Sequence, residues 1–243
     1  MLRPHLANDR FHTKIDWLDS RHSFSFAEHY DPSRLGFGPL RVINEDWIAP
    51  GKGFDTHPHR DMEILTYMLA GALEHKDSMG NGSVIRPGEI QRMTAGTGVF
   101  HSERNASPTE RAHLLQIWIQ PEHRDLTPGY EQSSTHLGPG LTLLAAPKGE
   151  AARVSIDQNV WLYAASVTPA APVTHALQQA AWVQVVHGSP TLNGLDLQPG
   201  DGVEIDDEPL LTLSANRPAE VLLFDMRPKV ASAAAAKPRA FRR

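Results

Sequence analysis

Two short segments carry the residues most suited to chemistry: His57 with His59, and His101 with Glu103. Within each pair one residue intervenes, so on a β-strand both side chains fall on one face, roughly 7 Å apart along the strand. Two such strands facing each other across a barrel converge four donor groups on one point. Three neutral imidazoles and a carboxylate suit a catalytic divalent transition metal rather than a structural one. A second carboxylate competes for the same role. Glu63 shares the parity of His57 and His59, but a regular strand puts it about 13 Å beyond His59, so it reaches the centre only through a bulge or turn. Strand geometry favours Glu103 as the ligand and leaves Glu63 as a supporting or pocket acid.

The elements that must position these groups are strands. The chain has 243 residues, 40% of them apolar, with 18 glycines and 19 prolines, which fits many short strands joined by tight turns. It contains no cysteine, which excludes disulfides and thiolate clusters and leaves any metal to histidine and carboxylate. The formal net charge of -5 gives no electrostatic footprint for nucleic acid. No apolar run approaches the length of a membrane span and the N-terminus lacks a signal-peptide core, so a cytoplasmic protein without membrane contact is expected. Of the 13 histidines, His5, His12, His123 and His136 sit in polar surroundings and are read as surface or structural groups, as are His113, Trp161 and Trp182.

Residues 1–40 read as irregular and rich in aromatics, with Ser23–Phe26 as a short strand candidate. Strands are expected at Leu40–Ile48, at an edge segment around His57-Pro58-His59, and at Ile64–Leu69, Ile90–Thr94, Val99–His101 and Leu114–Ile119. Asp77–Gly82 is a hairpin turn and Pro87-Gly88 another. Residues 121–150 look like a long connection, followed by a second strand-rich block and, after Pro228, an Ala-rich basic tail expected to be disordered. The boundaries that follow are an N-terminal domain over 1–130 with the metal site, a C-terminal domain over 131–228, and a tail over 229–243.

The two blocks repeat each other. Gly71, Asn81-Gly82 and Pro87-Gly88-Glu89 recur as Gly188, Asn193-Gly194 and Pro199-Gly200-Asp201. Counting from these marks, the counterparts of His57 and His59 are Thr174 and Ala176, and those of His101 and Glu103 are Leu213 and Ala215. None is a good ligand, and His175 has the wrong strand parity unless a bulge intervenes. The second half is therefore expected to hold no metal.

The first block resembles the cupin pattern: Gly51, then His57-x-His59 and Glu63, with Gly71 one residue late; then Gly98, His101 and Asn105, with Gly96 where a proline is usual. More specifically the chain resembles the bacterial pirin family. Trp17-Leu18-Asp19-Ser20, Tyr30-Asp31-Pro32, Arg41-Val42-Ile43-Asn44, the stretch Thr56–Glu63 and the stretch Ala95–Glu103 carry that resemblance, which spans roughly residues 2–228. It implies an all-β bicupin, two tandem barrels with few short helices. It also implies one divalent metal held by His57, His59, His101 and Glu103, with iron the first choice and Ni, Cu, Mn, Co or Zn the others.

The activity the resemblance implies is that of a quercetin 2,3-dioxygenase. Flavonol and O₂ would be the reactants, Glu103 both ligand and proton acceptor, and a depside and CO the products. Phe54, Met68, Gln116 and Trp118 are candidates for contact with a flat aromatic ligand, whereas the aromatics of residues 17–37 are expected to pack the N-terminal segment onto the barrel. The family's other role, a metal-dependent regulator that binds a protein partner, is the alternative.

Overall fold

The structure, a computed structural model, describes residues 1–227. The expected tail over 229–243, and Pro228 before it, lie outside those residues. Among the described residues the regular elements are strands, apart from one 3-10 turn at Ala7–Asp9. It forms two seven-stranded and two four-stranded sheets.

In the first half the four-stranded sheet runs in the order 53–59, 99–105, 73–77, 82–85, and the seven-stranded sheet places 112–119 between 63–70 and 40–48. The two sheets face each other: Leu73 and Ile85 from the first meet Ile48, Met68 and Leu114 from the second in one buried cluster. The second half repeats the plan. Its four-stranded sheet, in the order 173–176, 210–215, 190–192, 195–196, contributes Val173, Leu192, Leu211 and Leu213 to a core shared with Val183, Val203, Val221 and Leu223. The expected tandem barrels are thus present.

The outer faces of the two seven-stranded sheets pack on each other. Ile43, Leu65, Leu115 and Ile117 of the first half join Leu162, Trp182, Leu222 and Phe224 of the second. This explains the dense apolar run Leu114–Ile119: one face closes the inter-barrel layer while the other turns into the first barrel, and there it carries Gln116. Trp182 is fully buried in that layer, in keeping with its structural reading.

Two expectations need correction. The long connection over 121–150 contains two strands: Gly129–Ser134 pairs with Glu89–Thr94 and Gly140–Pro147 pairs with Val160–Val167. The polar composition of Gly129–Ser134 hid that strand, because it is an edge strand, half-buried throughout, and so lacks an apolar alternation; Gly140–Pro147 is apolar and was obscured only by the turn-rich residues around it. Residues 1–40 hold strands at Leu2–His5, Phe11–Lys14 and Leu18–His22, whereas Ser23–Phe26 is not a strand. Around residue 130 the strand Gly129–Ser134 joins the first half's sheet, while Leu2–His5 crosses to the second and pairs with Gly202–Ile205. Glu204 anchors that crossing through Arg3 at 2.5 Å and His5 at 2.9 Å.

Candidate metal centre

The strand Gly53–His59 pairs with Val99–Asn105, and His57 sits directly opposite His101. The register slips between His101 and Glu103, which face His57 and Phe54 respectively. Three residues therefore span on one strand what two span on the other, so the bulge lies at Asp55 and Thr56. It lets Phe54 and His57, three apart, both line the same cavity. The backbones come close at this point: a Cβ on Gly53 would lie 2.1 Å from the carbonyl oxygen of Glu103, so only glycine fits.

The three imidazoles converge. Their ring centroids are 4.4 Å (His57–His101), 4.8 Å (His57–His59) and 4.9 Å (His59–His101) apart, and one nitrogen of each lies within 4.8 Å of the others. The bulge carbonyl of Asp55 accepts the Nδ1–H of His57 at 2.7 Å, which leaves Nε2 of that ring with a free lone pair. Burial, with the neighbouring His101 and His57 rings, holds the His59 pKa down at about 4. Burial, with His57 and His75, holds that of His101 down at about 3. Both rings are neutral at neutral pH, the form that donates to a cation. His101 Nε2 is buried and has no hydrogen-bond partner among the described residues. A buried acceptor left unsatisfied is costly, and a cation at the meeting point of the three rings would satisfy it. The donor set fits a divalent transition metal.

Glu103 is 3% exposed, and its oxygens accept Gln116 Nε2 at 2.9 and 3.1 Å. Its carboxylate, with His101 and His75, forms a second group of donor atoms within 4.8 Å of one another. His101 belongs to both groups and joins Glu103 to the imidazole trio. Glu63 is placed elsewhere. One of its oxygens accepts the Thr94 hydroxyl at 2.7 Å, the other the backbone N–H of Asp157 in the second half at 3.1 Å. Burial raises its pKa, and it is a member of neither donor group. Its position is that of an inter-barrel tie.

The centre opens into a largely apolar cavity of about 350 Å³. Trp17 and Phe54 meet edge to face at 5.2 Å, as do Phe26 and Trp118 at 5.5 Å, and all four residues line it. Phe54, Gln116 and Trp118 thus lie where the sequence suggested. Met68 does not: it is in the hydrophobic core. Trp17, His22 and Phe26 correct the reading of the N-terminal aromatics as packing alone, because the strands Phe11–Lys14 and Leu18–His22 extend the first barrel's sheet and bring this segment over the cavity. Phe24 does pack, in the inter-barrel layer.

The residues that sequence reasoning missed are polar. Asp46 lines the cavity, is 2% exposed and accepts the Ser20 hydroxyl. Burial and the carboxylates of Glu103 and Glu45 raise its pKa to about 7 against that hydrogen bond. His22 is buried between Asn44 Oδ1 (2.8 Å) and Thr13 Oγ1 (2.9 Å). The available signal was the polar run Asn44-Glu45-Asp46 inside a strand that is apolar on either side of it, at Val42-Ile43 and Trp47-Ile48.

Among the described residues the second half holds no counterpart of the imidazole trio. Val173 pairs with Leu213 where His57 pairs with His101, so strand register makes Val173 and His175, rather than Thr174 and Ala176, the counterparts of His57 and His59. The nitrogen of His175 is engaged by Asp225 at 3.1 Å.

The family model described as Pirin matches residues 5–119, and one described as Quercetinase C-terminal cupin domain matches residues 143–226. A protein named Quercetin 2,3-dioxygenase from Escherichia coli (strain K12) is 47% identical over 224 residues, 91% of this chain and 97% of that protein. The structure of the bacterial pirin YhhW of Escherichia coli in complex with nickel(II) superposes with a TM-score of 0.90 at 46% identity, covering 94% of this chain and 100% of the other. A Pirin-like protein of Caulobacter vibrioides is 36% identical over 215 residues, 86% of this chain and 92% of that protein.

Proposed function

The chain belongs to the pirin family, and from that premise we propose that it is a metal-dependent dioxygenase that cleaves flavonols such as quercetin. The observation that carries this reading is the buried, unpartnered His101 Nε2 where three imidazoles meet at the floor of an aromatic-walled cavity. His57, His59, His101 and Glu103 would hold the ion, iron first among the candidates. When bound, a divalent metal supplies Lewis acidity that lowers the pKa of a coordinated enol hydroxyl.

The chain's own residues do the rest. Glu103 takes the enol proton on a carboxylate oxygen, and Gln116 holds that carboxylate in place through its amide. The walls formed by Trp17, Phe54, Phe26 and Trp118 clamp a flat ring system and exclude water. Beneath the N-terminal segment, the polar groups of Ser20, Asn44 and Asp46 suit the hydroxyls of a polyphenol. The reactants are then the flavonol and O₂; ring opening with loss of CO yields the depside.

The test is an aerobic assay of chelator-stripped protein reloaded with iron, nickel, copper, manganese or cobalt. Flavonol absorbance and released CO are followed together. Loss of quercetin with equimolar CO for at least one metal is expected. Loss without CO, or no loss with any metal, would overturn the proposal.

A further inference from the structure

His101 is held from behind by two residues of the adjacent strand. That strand, Leu73–Asp77, pairs with Val99–Asn105 so that Asp77 faces His101 and His75 faces Glu103. The side chains of His75 and Asp77 are fully buried. The turn that follows fixes the Asp77 carboxylate: Oδ1 accepts the backbone N–H groups of Met79 at 2.9 Å and Asn81 at 3.0 Å, and the Asn81 amide donates to Oδ2 at 2.9 Å. Oδ2 also accepts His75 Nε2–H at 3.1 Å.

That bond settles the rest of the chain of donors. With its one ring proton on Nε2, His75 offers only a lone pair at Nδ1. Two groups point there: the Gln91 amide nitrogen at 3.2 Å and His101 Nδ1 at 3.5 Å. For His101 Nδ1 to share that lone pair it has to carry the hydrogen, and Nε2 is then left as the lone pair. Nε2 is the buried atom without a partner.

We propose that Asp77 and His75 are positioning residues that lock His101 in its Nδ1–H tautomer and so present Nε2 to the metal. The proposal rests on the metal reading above. The second half of the chain supports it independently. There the strand 210–215 pairs with 190–192, setting Leu213 in the place of His101, Leu192 in that of Asp77 and Pro190 in that of His75. The supporting pair is replaced by apolar residues in the barrel whose facing positions carry Val173 and Leu213. At these register positions the carboxylate and imidazole stand only in the half with the imidazole trio. Partners that orient a metal-bound histidine typically contribute about 10–100-fold to metal affinity or activity.

The test uses the full chain, stripped with chelator and labelled with ¹⁵N-histidine. Long-range ¹H–¹⁵N spectra report which ring nitrogen carries the proton, with the His101 signals assigned by their loss in His101→Asn. In the unaltered protein His101 is expected as the Nδ1–H tautomer. His75→Leu should leave a tautomer mixture and weaken Ni²⁺ binding, read by competition titration, about 10–100-fold. His75→Gln, whose amide oxygen can accept from His101 Nδ1–H, should restore both. An Nε2–H tautomer in the unaltered protein would overturn the proposal even if His75→Leu failed to fold. So would a His75→Leu protein with unchanged tautomer and affinity. Complete loss of nickel in both His75 variants would overturn it in favour of His75 as a ligand. The Nδ1–H tautomer without any nickel binding would uphold the hydrogen-bond chain and instead sink the metal reading.

Discussion

Gln116 donates its amide to both carboxylate oxygens of Glu103, at 2.9 Å to Oε2 and 3.1 Å to Oε1. The two residues lie on different sheets of the first barrel, so this contact ties the carboxylate strand to the opposite wall of the cavity. Beyond it, Glu103 has the hydroxyl of Thr66 at 3.4 Å. Gln116→Leu removes the main support and leaves a buried carboxylate free to rotate. The expected result is a fall in kcat for quercetin of about 10–100-fold, the range for partners that orient a metal's ligands. Steady-state kinetics with saturating metal check this; an unchanged kcat would show that Glu103 needs no orientation from the opposite sheet.

Glu63 and Glu103 can be separated by metal content. Glu63→Ala breaks the bonds to Thr94 and to the backbone of Asp157, and leaves the partly buried Asp157 N–H without that acceptor. That should cost about 1–3 kcal/mol of stability while the purified protein keeps its metal. Glu103→Ala should show the converse, with metal lost or weakened. Elemental analysis with thermal melts on both variants decides, and a metal-free Glu63→Ala protein would restore Glu63 as a ligand.

Much of this site was legible in the sequence because period-two spacing carries direct geometric information. His57-x-His59 and His101-x-Glu103 put their side chains on shared faces, and the structure gathers the three imidazoles at one point with Glu103 beside His101. The same spacing in His75-x-Asp77 was there to be read, but Asp77 also opens a hairpin turn, and that local role accounted for it without a second one. Phe26 and His22 were misplaced for another reason. Whether an N-terminal segment covers its own barrel or lies elsewhere depends on long-range strand pairing, here Phe11–Lys14 on Leu18–His22 and that strand on Leu40–Ile48, which no local pattern specifies. Counting residues from the turn marks also failed by one position at His175. Loop lengths in the two halves differ, and only the pairing of Val173 with Leu213 fixes the register.

Asp46 should make stability depend on pH. Its pKa is raised in the folded protein to about 7 from an ordinary value of 3.8, burial being the largest cause. Between those values the folded state binds the proton and the unfolded state releases it, so this group's contribution falls as pH rises from about 4 to about 7 and is constant outside that window. Asp46→Asn removes the dependence. The stability of the variant relative to the unaltered protein should therefore climb with pH by at most about 4 kcal/mol across the window. Urea denaturation of chelator-stripped protein at pH 4.5, 6 and 8 measures the difference, and a difference flat in pH would mean that Asp46 titrates normally.

The N-terminal wall should act on binding more than on the chemical step. Phe26 meets Trp118 edge to face at 5.5 Å and lines the cavity, while the imidazole trio and Glu103 all belong to the strands Gly53–His59 and Val99–Asn105. Its ring can therefore contact a bound flavonol without touching the donor set. A contact made equally in the ground state and the transition state changes KM and leaves kcat alone. Phe26→Ala removes one aromatic face from the clamp, with an expected cost of about 1–3 kcal/mol in binding, or roughly 10-fold or more in KM at nearly constant kcat. Phe26→Leu, which keeps apolar bulk but not the ring, should fall between the two. Quercetin kinetics and metal titration on both variants provide the check. If kcat fell with KM unchanged, or nickel affinity dropped as well, the N-terminal segment would be shaping the centre itself rather than roofing it.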